Sequence, residues 1–326
     1  MFDEARLKRY STQALMGVLS AVLYSTVAFM PLFLVPLQIA GVRKGFKAMI
    51  ASAVFSSFII AVWQTLALAR SGGSSAGMLA MSISTPAAMT IALVCMAMPR
   101  FSTFSFPSRA LFGAAVASTI SLPSIFAALK EPGVRALFIE AFEMAGSAIG
   151  AGALDAETLW SAMRTGIASS YGAILFVFLF FSAWSGSRFG DSLRFKTNPA
   201  VPEKDQPSLP PALSAYRVPA PFVWALLAAW SGLLLNRFFP SFVLSAVTLN
   251  VALALSICYG VQGLAVAGAL AERVGLAPAL RILAPIVLIL LLVSGTAGLI
   301  ALGVLALLGT LETWIPFRAA PKGELP

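Results

Sequence analysis

Residues 247–263 read V-T-L-N-V-A-L-A-L-S-I-C-Y-G-V-Q-G, an apolar stretch long enough to lie across a bilayer that nonetheless carries Asn250, Tyr259 and Gln262. An uncharged run of this length marks a helix that crosses hydrocarbon, where backbone polar groups must be satisfied inside the segment. A carboxamide in that setting needs a partner, or it bears the desolvation cost of an unmet donor and acceptor. The stretch therefore sets the fold class, all-α and membrane-spanning, and raises the question of what its polar groups meet.

The rest of the chain follows the same rule. Hydrophobic residues make up 59% of the 326 positions and charged ones 11%, with a mean hydropathy of +0.90, well outside the balance of a soluble domain. Period-2 alternation of the kind a β-barrel requires is absent from the runs. The net charge of +9 does not point to nucleic acid, because Lys and Arg sit in short connections beside apolar runs, where the positive-inside rule accounts for them. With no histidine, and with Cys95 and Cys258 isolated in apolar runs, neither a metal site nor a disulfide framework is expected. The basic N-terminus resembles the start of a signal peptide, but the apolar stretch after it lacks a small-residue cleavage site and is expected to be retained.

Charge-free runs cover roughly 12–41, 48–69, 77–99, 110–129, 165–187, 218–236, 238–271 and 282–311, a polytopic bundle of about 8–10 spanning helices. The first run is too long for one crossing and is broken by Pro31 and Pro36, with Arg6, Lys8 and Arg9 before it and Arg43, Lys44 and Lys47 after it. A hairpin of two short helices fits, with both ends cytoplasmic. Alternating onward places fifteen of the 22 basic residues inside. Gly295 and Gly298, in V-S-G-T-A-G at 293–298, mark a kink or a break, and the side of the C-terminus depends on which it is.

Two connections are more than turns. Residues 131–163 mix acidic side chains with Phe138, Phe142, Leu159 and Trp160; Pro132 at a helix start and Asp155 as an N-cap predict two short helices at the outer interface. Residues 188–217 are Pro-rich and charged, which is linker chemistry on the cytoplasmic side. They divide the chain into a six-helix module over 1–187 and a C-terminal module of three or four helices over 218–326.

The order of motifs, from A-L-M-G-V-L-S-A-V-L-Y and P-L-F-L-V-P-L-Q-I-A-G-V-R-K-G through Y-R-V-P-A-P at 216–221 and L-N-V-A-L-A-L-S-I-C-Y-G-V-Q-G-L-A-V to L-G-T-L-E-T-W-I-P-F-R, resembles the YybS-like family of bacterial inner-membrane proteins. The most specific parts are Asn250 to Gly263 and Gly309 to Arg318. At the end this chain departs from the family pattern: an acidic pair of the form D-x-x-x-D-F-R is replaced by Glu312 with Ile315 and Pro316. The resemblance implies an N-terminal part similar to the S components of energy-coupling-factor transporters. Those proteins bind a small molecule and dock on a membrane partner driven by separate ATPases.

Asn250 and Gln262 lie twelve positions apart, roughly 18 Å along a helix and about 120° around it, so they do not form one compact site. Tyr259 and Gln262 share a face. Gln38 falls in the proline-broken hairpin, where freed carbonyls line a cavity or are covered by protein; Gln64 sits beside Trp63. These five are the candidate ligand-binding residues, with interhelical hydrogen bonding or an interfacial position as the alternative for each. Ala14, Gly17 and Ala21 form a small-residue stripe suited to partner docking or to internal packing. Glu312 and Arg318 either pair with each other or anchor to lipid head groups.

No general base, phosphate loop or nucleophile motif is present, so an enzyme is not expected and no cofactor is implied. The spans hold almost no charge, which argues against an autonomous proton-coupled pump. Two functions remain: partner-driven uptake of a small molecule, or a membrane scaffold that binds proteins through its cytoplasmic loop.

Overall fold

The computed structural model describes residues 4–26, 28–70, 76–148, 155–193, 205–275 and 296–318. Their regular structure is helical, without a strand among the described residues, and divides into two compact units, Met1–Pro210 and Pro211–Pro326. The division falls inside the Pro-rich stretch. The first unit holds α1 (Glu4–Ser25), α2 (Val35–Lys44), α3 (Phe46–Arg70), α4 (Ala76–Met96), α5 (Phe106–Leu129), α6 (Pro132–Ala148) and α7 (Ala156–Ser192). The second holds α8 (Phe222–Phe238), α9 (Phe242–Arg273) and α10 (Thr296–Leu311). Five of them, α3, α4, α5, α7 and α9, are long and apolar enough to cross a membrane; α8 and residues Ile300–Leu311 are shorter apolar helices. Large apolar side chains stand outward on these helices, Trp224, Trp230, Leu234 and Phe238 among them, which is stable where the surroundings are hydrocarbon.

In the first unit α1 packs on α3, α2 on α7, and α5 on both α4 and α7. Small residues let the backbones come close, as expected where lipid supplies no hydrophobic drive between helices. A Cβ on Gly113 would lie 2.6 Å from Met96 Cγ, and one on Gly190 would lie 2.7 Å from Val42 Cβ. Hydroxyls add cross-links: Ser20 to Ser56 at 2.8 Å, Tyr171 to Ser121 at 2.9 Å, and Ser84 with Ser124. Pro86 inside α4 has no N–H to give Ser82, and the Tyr24 hydroxyl donates to the Ser82 carbonyl at 3.2 Å. Glycine is required at one joint, Gly45, where φ of +96° turns α2 directly into α3.

Three expectations need correcting. The break in the first run spans residues 26–34, with Pro31 in a short 3-10 turn, while Pro36 stands in the first turn of α2 and breaks nothing; proline is well suited to that position because its missing N–H would be unpaired there in any case. The first arm, α1, is a 22-residue helix and only α2 is short. Asp155 does cap a helix, accepting from Glu157 N–H, but that helix does not end before the span. No proline interrupts Ala156–Ser192, so the turns expected at the interface and the apolar run after them form one helix of 37 residues. At its N-terminal end Phe138 stacks near Trp160, with ring centroids 5.5 Å apart, and Arg135 pairs with Glu157. The Thr158 hydroxyl holds the exposed Asp155 carboxyl below the usual range. Residues 194–204 of the linker, 276–295 of the last run including Gly295, and Lys322 lie outside the described residues.

Candidate functional site

In the first unit α2 turns Gln38 inward until it is 1% exposed. Its Nε2 donates to Ser187 Oγ of α7 at 3.0 Å, and Ser187 Oγ donates to the Ala183 carbonyl at 2.7 Å. Gly186 makes the approach possible, since a Cβ there would lie 2.6 Å from Gln38 Cβ. Gln38 Oε1 meets no hydrogen-bond donor.

Arg109, one turn into α5 and also buried, lines a small space together with Gln38. Its Nη1 donates to the Met96 carbonyl at 2.9 Å and to that of Ser208 at 2.7 Å, and its Nη2 to that of Leu209 at 3.1 Å. Met96 ends α4, so its carbonyl has no partner within the helix and the guanidinium supplies one. Ser208 N–H donates in turn to the Ala97 carbonyl at 3.0 Å, and Lys47 pairs with Asp205 at 3.6 Å. Residues 205–210 are thus a strap bound to this unit. Arg109 Nε is buried without an acceptor. The space that Gln38 and Arg109 share with Leu93, Phe106, Ser208 and Pro210 does not admit a water molecule.

The second unit answers the question raised by Gln262, which is 3% exposed. Its Oε1 accepts from Val218 N–H at 2.6 Å and its Nε2 donates to the Gly309 carbonyl at 2.8 Å. Val218 precedes a proline outside any helix, and Gly309 lies in the last turn of α10; both backbone groups lack a helical partner. One carboxamide therefore ties the lead-in to α8, the middle of α9 and the end of α10. Backbones touch beside it: a Cβ on Gly263 would lie 1.9 Å from the Leu305 carbonyl oxygen, and one on Gly309 1.9 Å from that of Tyr259. Glu312 and Arg318 form a second tie. Arg318 Nε and Nη2 donate to the two Glu312 oxygens at 2.5 and 2.7 Å, while Nη1 and Nη2 donate to the Ser214 and Tyr216 carbonyls, each at 2.9 Å. Tyr216 is fully buried, and burial, with the Cys258 thiol beside it, pushes its phenol well above the ordinary tyrosine value.

These contacts sort the candidates. Asn250 Nδ2 donates to the Ala246 carbonyl of its own helix at 2.7 Å, and Gln64 is half-buried on α3 beside exposed Trp63; neither joins Gln38 or Gln262. Tyr259 is buried and points its hydroxyl toward Thr313 short of hydrogen-bonding geometry, so it does not act with Gln262 as a pair. The stripe of Ala14, Gly17 and Ala21 faces inside the unit, because a Cβ on Gly17 would meet Phe55 Cδ1 at 2.9 Å and Ala21 is buried. At Gly17 and Ala21 that surface is taken up by packing inside the unit, while Ala14 is half-buried. Glu312 and Arg318 pair with each other, and the alternative of a head-group anchor for this pair gives way to a buried bidentate tie.

Sequence reasoning missed Arg109, Ser187 and Tyr216. The signal for Arg109 was present, a cation set one turn into an apolar helix after S-F-P-S. The bundle and its buried polar ties define a polytopic all-α membrane protein. Compared with family models, with curated proteins and with solved structures, the chain shows no match.

Proposed function

We propose that this chain is a multi-pass protein of a bacterial inner membrane, its N-terminus cytoplasmic, that binds a small polar molecule inside the first unit for uptake driven by a separate membrane partner and its ATPases. The S-component resemblance of the first helices and the nearly charge-free spans support the reading. The observation that carries it is the pair Gln38 Oε1 and Arg109 Nε, an acceptor and a cationic donor, both buried and both without a hydrogen-bond partner, on two residues that line one space. Unsatisfied buried polar atoms are uncommon, and two of complementary kind at one spot suit a ligand that offers a donor beside an acceptor. In this form the space is too narrow for a ligand, and Ser208 and Pro210 of the strap form part of its wall. Access requires the strap to lift. A scaffold reading, in which the Pro-rich loop captures proteins, loses these residues because Arg109 already holds them.

The test is mass spectrometry of compounds extracted from protein purified in mild detergent, with Gln38→Met and Arg109→Lys prepared in parallel. A stoichiometric non-lipid compound is expected from the parent and not from Gln38→Met of unchanged melting temperature. Equal retention by parent and variant, or lipid alone from every sample, would remove the reading.

A further inference from the structure

The second unit carries a half-open cavity of about 250 Å³ lined by Arg217, Val218, Ala220, Gln262, Glu312 and Thr313. Two of its polar walls are already spent. Both functional ends of the Gln262 amide are bound to backbone groups, and both Glu312 oxygens accept from Arg318, whose remaining bonds go to the Ser214 and Tyr216 carbonyls. The carboxylate is therefore neutralised in place and does not balance Arg217. Arg217 is exposed at the cavity and makes neither an ion pair nor a hydrogen bond to a described residue. Its charge is left over: with Glu312 and Arg318 cancelling, the wall carries one net positive charge.

Thr313 also lines the cavity, and next to Thr313 lies the buried Tyr259 hydroxyl, which has no hydrogen-bond partner. Val218 and Ala220 add apolar wall. The volume falls just below the range of about 300–1,000 Å³ typical of ligand sites, and a guanidinium with free donors is the group best matched to a carboxylate or phosphate. We propose that this cavity binds a small anion-headed ligand, its carboxylate or phosphate paired with Arg217 and its short body set against Val218, Ala220 and Thr313. The proposal uses no residue of the first unit and stands apart from the reading above.

A free anion and an anionic lipid head group offer the same chemistry, and one experiment separates them. The full chain is placed in nanodiscs of phosphatidylcholine and titrated calorimetrically with inorganic phosphate. In discs containing phosphatidylglycerol, native mass spectrometry counts the phosphatidylglycerol molecules retained. Arg217→Gln, an exposed position whose loss leaves the Gln262 and Glu312 ties intact, is compared with Arg100→Gln, an exposed cation of the first unit. Saturable phosphate binding weakened about tenfold or more in Arg217→Gln but not in Arg100→Gln supports a free-anion site. One phosphatidylglycerol kept by the parent and by Arg100→Gln but lost from Arg217→Gln, without phosphate binding, supports a lipid head-group site. Binding that is equal in all three proteins, absent from all three, or weakened alike by both substitutions overturns the proposal.

Discussion

Replacing Gln262 by Leu keeps the volume of the side chain and removes both ends of its tie. The Val218 N–H and the Gly309 carbonyl would then be buried with no partner, and neither can turn to a helical neighbour. A buried group left unmet costs about 1–3 kcal/mol, while hydrogen bonds between membrane helices average about 0.6 and reach about 1.7; two such groups in a packed site are expected to cost about 2–4 kcal/mol. Cys258, one turn earlier on α9 and fully buried beside Tyr216, reports the loss. In a Cys95→Ser background a thiol-reactive maleimide reaches Cys258 only when the lead-in lifts away, so the labelling rate follows the open fraction. At about 1.4 kcal/mol per decade, Gln262→Leu should label roughly 30- to 700-fold faster than the parent while still eluting as a single folded species. A rate within threefold of the parent would refute the claim that this amide holds the three segments together.

Other outcomes follow from the same contacts. Gly263→Ala and Gly309→Ala each force a Cβ onto a carbonyl oxygen of the facing helix, and each should destabilise the second unit by about 1–3 kcal/mol or more, read as a fall in melting temperature in detergent; unchanged melting in both would contradict the backbone contact. Glu312→Gln leaves the Arg318 guanidinium buried without its counter-charge and is expected to cost about 3–5 kcal/mol, with Glu312→Leu combined with Arg318→Met recovering most of it; a double variant as unstable as the single one would show that the bonds to Ser214 and Tyr216, not the ion pair, carry the tie. Arg109→Gln should free the strap, so that a cysteine placed at Ser208 labels at least tenfold faster than in the parent; an unchanged rate would place the hold elsewhere.

The crossings were legible because length and polarity alone decide them. The run at 48–69 became Phe46–Arg70 and the run at 238–271 became Phe242–Arg273, the latter opened by Ser241, whose Oγ caps Leu244 N–H just after Pro240. The continuity of α7 was not legible, since a good N-cap at Asp155 announces where a helix starts and says nothing of where it stops. Polar partners were the least visible. Gln262 meets two main-chain groups 44 and 47 residues away, and a main-chain N–H or carbonyl leaves no mark in the sequence of side chains. Glu312 and Arg318 were readable as a pair because both partners are side chains. The stretches Asn250 to Gly263 and Gly309 to Arg318, singled out separately as motifs, turn out to be two sides of one contact, joined where Gly263 and Gly309 meet backbone to backbone.

The tie at Gln262 also bears on how the chain is made. Ribosomes deliver α9 to the translocon before the residues that complete its bonding exist, because the Gly309 carbonyl is synthesised 47 residues after Gln262. Until then the amide nitrogen crosses into lipid without its acceptor, and the Ser214 and Tyr216 carbonyls wait for Arg318. A nascent chain stalled short of residue 309 therefore carries the Gln262 amide on an apolar helix with one of its two ends unmet.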